Sequence, residues 1–157
     1  MIFAPLLASF IQLPVTIVQP YSGLRVQQCS VKTTIPQNAP ILPSMRRFGQ
    51  KYFKTSRVDY DFMIHNGLNV PVRRVRMELD PYIRIRGREQ FAGPTTLIWF
   101  NSPIRPNQSA RWHYGSSAAV NSFAILGQKI TKLECFPVEA ELADGRAITF
   151  FRRNVFF

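Results

Sequence analysis

Residues 57–79 read RVDYDFMIHNGLNVPVRRVRMEL, and the period of two in this stretch decides the fold. Val58, Tyr60, Phe62 and Ile64 share one parity, while Arg57, Asp59, Asp61, Met63 and His65 share the other. Successive side chains of a strand point to opposite faces, so this pattern is a strand with one buried and one wet face. Asn66-Gly67 follows, a pair that tolerates positive φ and suits a turn. The second half of the stretch puts Val75, Met77 and Leu79 inward and Arg74, Arg76 and Glu78 outward.

Asp80-Pro81 is expected to end that second strand, because proline cannot donate to a ladder. YIRIRGR then offers a further strand, with Ile83 and Ile85 inward and Arg84 and Arg86 outward. If the two strands are neighbours, Arg74, Arg76, Arg84 and Arg86 form an arginine ladder on an exposed sheet face. TTLIWF (95–100) is an uninterrupted apolar run expected in the core, and SARWHY places Ala110, Trp112 and Tyr114 inward with Arg111 and His113 outward. Residues 115–129 carry no clear period. From Ile130 onward Leu133 and Cys135 share a face, but past Phe136-Pro137 the apolar set becomes Val138, Ala140 and Leu142. That one-residue change of parity predicts a β-bulge at the proline. Asp144-Gly145 is a strong hairpin signal. Counted from Arg57, about seven strands with frequent turn signals and no sustained helical period predict an all-β, antiparallel sandwich of immunoglobulin type.

The 157 residues suit one domain, and 46% apolar against 18% charged residues excludes a chain disordered throughout. Residues 1–18, MIFAPLLASFIQLPVTIV, carry no charge, so residues 1–20 read as an export signal or anchor, or as a structural arm. In the arm alternative Ile11, Leu13, Val15 and Ile17 alternate on one side of a strand. Residues 21–56 read as an extended Pro-rich and basic connection, and 57–157 as the sandwich domain. Cys29 and Cys135 fit no zinc or CxxC pattern. They form a disulfide if the chain is exported, and are small buried apolar residues if it stays in a reducing compartment.

Twenty Lys+Arg against nine Asp+Glu give a net charge of +11. Residues 45–90 hold 11 bases and 5 acids, more than half of that excess. MRRFGQKYFKTSR (45–57) interleaves Arg46, Arg47, Lys51, Lys54 and Arg57 with Phe48, Tyr52 and Phe53 and contains no acid. Such an arm, with the Arg74, Arg76, Arg84 and Arg86 ladder, is the candidate anion or nucleic-acid contact, since guanidinium forks match phosphate and rings stack on bases. No residues carry a catalytic, metal or cofactor pattern. His65 and His113 fall on wet parities without a nucleophile beside them, Asp59 and Asp61 are best placed to balance arginines, and no Gly-rich phosphate loop is present.

Three places resemble the immunoglobulin-like sandwich domains of the FxLYD type, common in exported bacterial proteins. DYDFMIHNGLNVPVRRVRMEL is similar to that family's first hairpin, SPIRPNQSARW to its "i-x-PG-x-s" connection, and VEAELADGRAI to its closing hairpin. Asn107 stands where the family has Gly, and Leu142 stands in its aromatic position. The resemblance spans residues 57–150 and implies a fold and frequent export; it carries no catalytic residues. Two function classes follow. One is a non-enzymatic β-sandwich module, exported or envelope-associated, that engages a protein partner through a sheet edge or loops and meets a membrane only through an uncleaved N-terminal segment. The other is a basic nucleic-acid-associated subunit of a capsid-like or ribosome-like assembly.

Overall fold

The computed structural model describes residues 9–35, 56–118 and 130–151. They form ten strands and no helix: β1 (Ser9–Gln12), β2 (Val15–Ile17), β3 (Leu24–Ile35), β4 (Ser56–Asn66), β5 (Val72–Ile85), β6 (Arg88–Phe91), β7 (Thr96–Phe100), β8 (Ser109–Ala118), β9 (Ile130–Leu142) and β10 (Ala147–Thr149). The smaller sheet runs β1-β3-β4-β8. The larger runs β10-β9-β5-β6, with β2 added to β9 and β7 to β5. All pairings are antiparallel except β2 on β9.

Alternation places the core. Val58, Tyr60, Phe62 and Ile64 of β4 are buried, as are Val75, Met77 and Leu79 of β5, and they meet Val26 and Val31 of β3 and Leu133, Ala140 and Leu142 of β9 in one cluster. Each large side chain taken fully from water contributes about 1.5–3 kcal/mol. A disulfide between Cys29 of β3 and Cys135 of β9, Cα atoms 6.8 Å apart, ties the two sheets through this core.

Several expectations are corrected. The seven strands expected from Arg57 onward are present as β4–β10, but residues 9–35, outside the expected sandwich, add three more and enter both sheets. Residues 24–35, expected within a connection, form the twelve-residue β3, paired with β4 along nearly its whole length. Asn66-Gly67 does not close a hairpin: β4 and β5 lie in different sheets, and the segment crosses between them. Asn66 is buried and holds the crossing by its side chain, while Gly67 is required by close approach, a Cβ there lying 2.8 Å from the Gly23 carbonyl oxygen.

Asp80-Pro81 does not break the strand; β5 runs unbroken from Val72 to Ile85. Pro81 stands opposite Leu133, whose N–H donates to Pro14 O (2.7 Å) on the far side of β9. Opposed antiparallel residues either both face or both avoid each other's backbone, so Pro81 turns its nitrogen away from β9. On that other edge the β7 pairing stops at Leu79 and the β6 pairing starts at Tyr82, so the missing N–H falls in the gap. The Pro81 carbonyl is used there, accepting from Ala92 N–H at 2.8 Å.

TTLIWF is half-buried rather than wholly internal: Ile98 and Phe100 point in, whereas Leu97 is exposed and Trp99 lies outward. Ile85, expected inside, is 43% exposed because β5 there has outrun the core. Tyr114 keeps its expected parity yet is 42% exposed, since β8 is the edge of its sheet. The change of parity in β9 is a bulge: Arg76 pairs with Glu139 and Met77 with Pro137, leaving Val138 as the extra residue, packed half-buried on the core.

Candidate functional site: the arginine face of the larger sheet

The arginines expected on two neighbouring strands lie on one strand and its hairpin turn, so they divide into two groups. Arg74 and Arg76 are in mid-strand, on the outward parity of β5. Trp99 of β7 stands beside Arg76 in the ladder, and its ring lies 4.0 Å from the Arg74 guanidinium carbon and 5.8 Å from that of Arg76. Arg74 also donates from Nε to Glu141 Oε2 at 2.6 Å, and Arg73 donates from Nη1 to Glu141 Oε1 at 3.3 Å. Glu139 stands opposite Arg76 on β9. Rows of acid, arginine and aromatic therefore cross this part of the face, and its charge is largely balanced. Arg73, Arg74, Asn101, Pro103 and Glu141 rim a shallow recess of about 400 Å³.

The second group is different. Past Ile83, β5 has only β6 as a described partner, and the pair closes through Arg86-Gly87. Arg86 (φ 51°) and Gly87 (φ 78°) both occupy the left-handed region, the pattern of a type I′ hairpin turn. All residues from Arg84 to Phe91 are exposed. Arg88, which the periodicity did not single out, completes a trio with Arg84 and Arg86. Its signal was present in the repeat RIRGR around a turn glycine. None of the three makes an ion pair or side-chain hydrogen bond among the described residues. Glu89, opposite Arg84, instead approaches Lys132 Nζ at 3.5 Å. Lys132 also contacts Glu134 at 3.1 Å and lies over the Tyr82 ring. The bond to Glu134 raises its pKa above the ordinary lysine value.

Of the basic arm, Arg46, Arg47, Lys51 and Lys54 lie outside the described residues; Arg57 donates to Asp59 Oδ1 at 2.9 Å. On the outward face of the smaller sheet Arg111 grips Asp61 with both arms of its fork, the Nε bond being 2.9 Å. That grip holds the Asp61 carboxyl below the usual carboxylate range. His113 lies 3.7 Å from Asp59, and His65 Nδ1 lies 3.1 Å from Ser109 Oγ. Asp61 thus serves a cross-strand pair and Asp59 a pair within its own strand. Among the described residues no three His, Cys, Asp or Glu side chains converge on a metal-sized site.

β8 is the remaining feature. Its ten residues pair with β4 along one side, and among the described residues nothing pairs with the other. Its inward aromatics are preset: the Trp112 and Tyr114 rings stack at 5.2 Å and 4°, and Trp112 packs near Phe62 and Phe100.

Fold and site together define a two-sheet, disulfide-tied β-sandwich with a charge-balanced arginine face, a cationic hairpin tip and one long edge that nothing pairs among the described residues. No protein-family model matches the chain, and no curated protein matches it. Among solved structures it is similar to the Salmonella enterica trimeric lipoprotein SadB, with 10% sequence identity and a TM-score of 0.29. The alignment covers 89% of this chain, and the chain spans 64% of that one.

Proposed function

We propose that this chain is a non-enzymatic β-sandwich module of an oxidising, exported compartment, engaging a protein partner through the free side of β8. The observation that carries the reading is the Cys29–Cys135 bond between the two sheets, since disulfides persist where thiols are not kept reduced. The edge supports the partner class: an extended segment added to β8 gains main-chain hydrogen bonds, while Tyr114, beside Trp112, offers an exposed ring for its side chains. The nucleic-acid reading loses support in mid-sheet, where Glu141 takes Arg73 and Arg74, and at Arg57, which Asp59 takes.

Cell fractionation with thiol trapping tests this reading. The expected result is a chain in the exported fraction whose two cysteines resist alkylation until reduced. A chain in the cytosolic fraction with both thiols freely alkylated would overturn it.

A further inference from the structure

We infer that the β5–β6 hairpin is a wedge that docks on an anionic membrane surface. The proposal goes beyond the β8 reading and concerns a separate part of the molecule. Tyr82–Ile85 pair with Arg88–Phe91, so side chains on this two-stranded ribbon alternate between its faces. Ile85 and Arg88 stand opposite each other and share one face. Arg84, Glu89 and Phe91 share the other, with Glu89 drawn to Lys132, and Arg86 sits at the turn. Each face thus carries one unpaired guanidinium and one exposed apolar side chain, Ile85 at 43% and Phe91 at 54% exposure. Cations at the turn, with Ile85 beside them and Phe91 further down the ribbon, suit an approach to a lipid interface in which the hairpin lies tilted on the surface. The guanidiniums meet headgroup phosphates while their stems and the apolar groups enter the acyl boundary.

The charge is free to act. Lys132 draws on Glu89, and no acid pairs with Arg84, Arg86 or Arg88 among the described residues. The turn is also informative. Position Arg86, at φ 51°, is one where Asn or Gly fits at lower cost, so an arginine there spends backbone strain to place a cation at the tip. A lipid surface fits better than nucleic acid. The hairpin offers one exposed ring, Phe91, and that ring already meets Tyr82 edge-on at 6.0 Å, so no platform for successive bases exists.

The test is flotation of the full chain with phosphatidylcholine vesicles, with or without about a third phosphatidylglycerol. Binding to the anionic vesicles is expected, falling about fivefold for each arginine removed and about a hundredfold for Arg84→Ala, Arg86→Ala and Arg88→Ala together. Arg25→Ala, Lys32→Ala and Arg105→Ala, an equal loss of exposed charge elsewhere, should cost far less. Arg86→Asn suits the turn and so reports the charge alone. Phe91→Ser should weaken binding without changing its salt dependence. Equal losses from the hairpin and control triples would overturn the proposal. So would a hairpin triple that loses binding to a single-stranded oligonucleotide while keeping its vesicles.

Discussion

Asn66 is the residue on which the crossing between the sheets turns, and its replacement should cost more than any exposed polar change. It is fully buried at the end of β4. Its Nδ2 donates to Val70 O at 2.9 Å and Ile104 O at 3.0 Å, and its Oδ1 accepts from Leu68 N–H at 2.9 Å. Asn66→Ala removes three bonds but orphans only two groups, because Ile104 O still accepts from Val72 N–H at 2.9 Å. Val70 O and Leu68 N–H lose their side-chain partner in a half-buried loop, and a group left so costs about 1–3 kcal/mol. The expected loss is about 2–6 kcal/mol, or roughly 5–25 °C in melting temperature for a chain of this size. Asn66→Asp should be worse near neutral pH, since its carboxylate faces two carbonyl oxygens where two donors stood.

Burial raises that introduced carboxyl above its unfolded value of about 3.9, so its charge penalty is absent below that pH and grows as pH rises above it. Thermal unfolding followed by circular dichroism, at pH about 7 and about 3.5, reads both effects. The Asn66→Asp deficit should shrink at the lower pH, where the protonated group can also donate one bond. An Asn66→Asp melt equal to the parent at neutral pH would refute the reasoning.

Breaking the Cys29–Cys135 bond, by reductant or by the Cys29→Ala, Cys135→Ala pair, opens a loop of sequence separation 106. Chain entropy sets the loss at up to about 4.7 kcal/mol, roughly 10 °C or more in melting temperature; identical melts with and without reductant would contradict it. The Arg111 bonds that depress the Asp61 pKa contribute stability that is present above the unfolded carboxyl value, about 4, and lost as pH falls through the lower folded value. Denaturation midpoints from pH about 5 down to about 2 should fall less steeply in Asp61→Asn.

How much of this was legible in the sequence depended on whether a strand's two faces differed in polarity. β4 and the middle of β5 have apolar and charged parities, and both were read to the residue. TTLIWF has no polar parity to mark its outer face, so the outward Trp99, covered by two arginines, was missed. Pro81 was misread because its lost donor matters only on one edge, and which partner lies there is set by β6 and β7. β3 was hidden for a different reason: its inward Val26, Cys29 and Val31 change parity at a bulge near Gln28. At the site, the outward direction of Arg74 and Arg76 was readable. The pairing of Arg74 with Glu141 was not, because it depends on β9 lying beside β5 some 65 residues away in the chain. Charge counting alone cannot separate those balanced arginines from the three at the hairpin, which have no ion-pair partner among the described residues.

The claim that β8 receives a partner is tested most directly by a photo-crosslinking residue placed at His113, exposed on that strand, in cells that make the protein. A second probe at Arg146, on the β9–β10 hairpin, serves as the control. The account expects the His113 probe to give a discrete adduct with one protein, a strand-blocking Gly115→Pro change, two residues along β8, to abolish it, and Gly115→Ala, which displaces the same Arg57 and Asp59 side chains, to keep it. An adduct with nucleic acid, or a protein adduct only from the Arg146 probe, would contradict it.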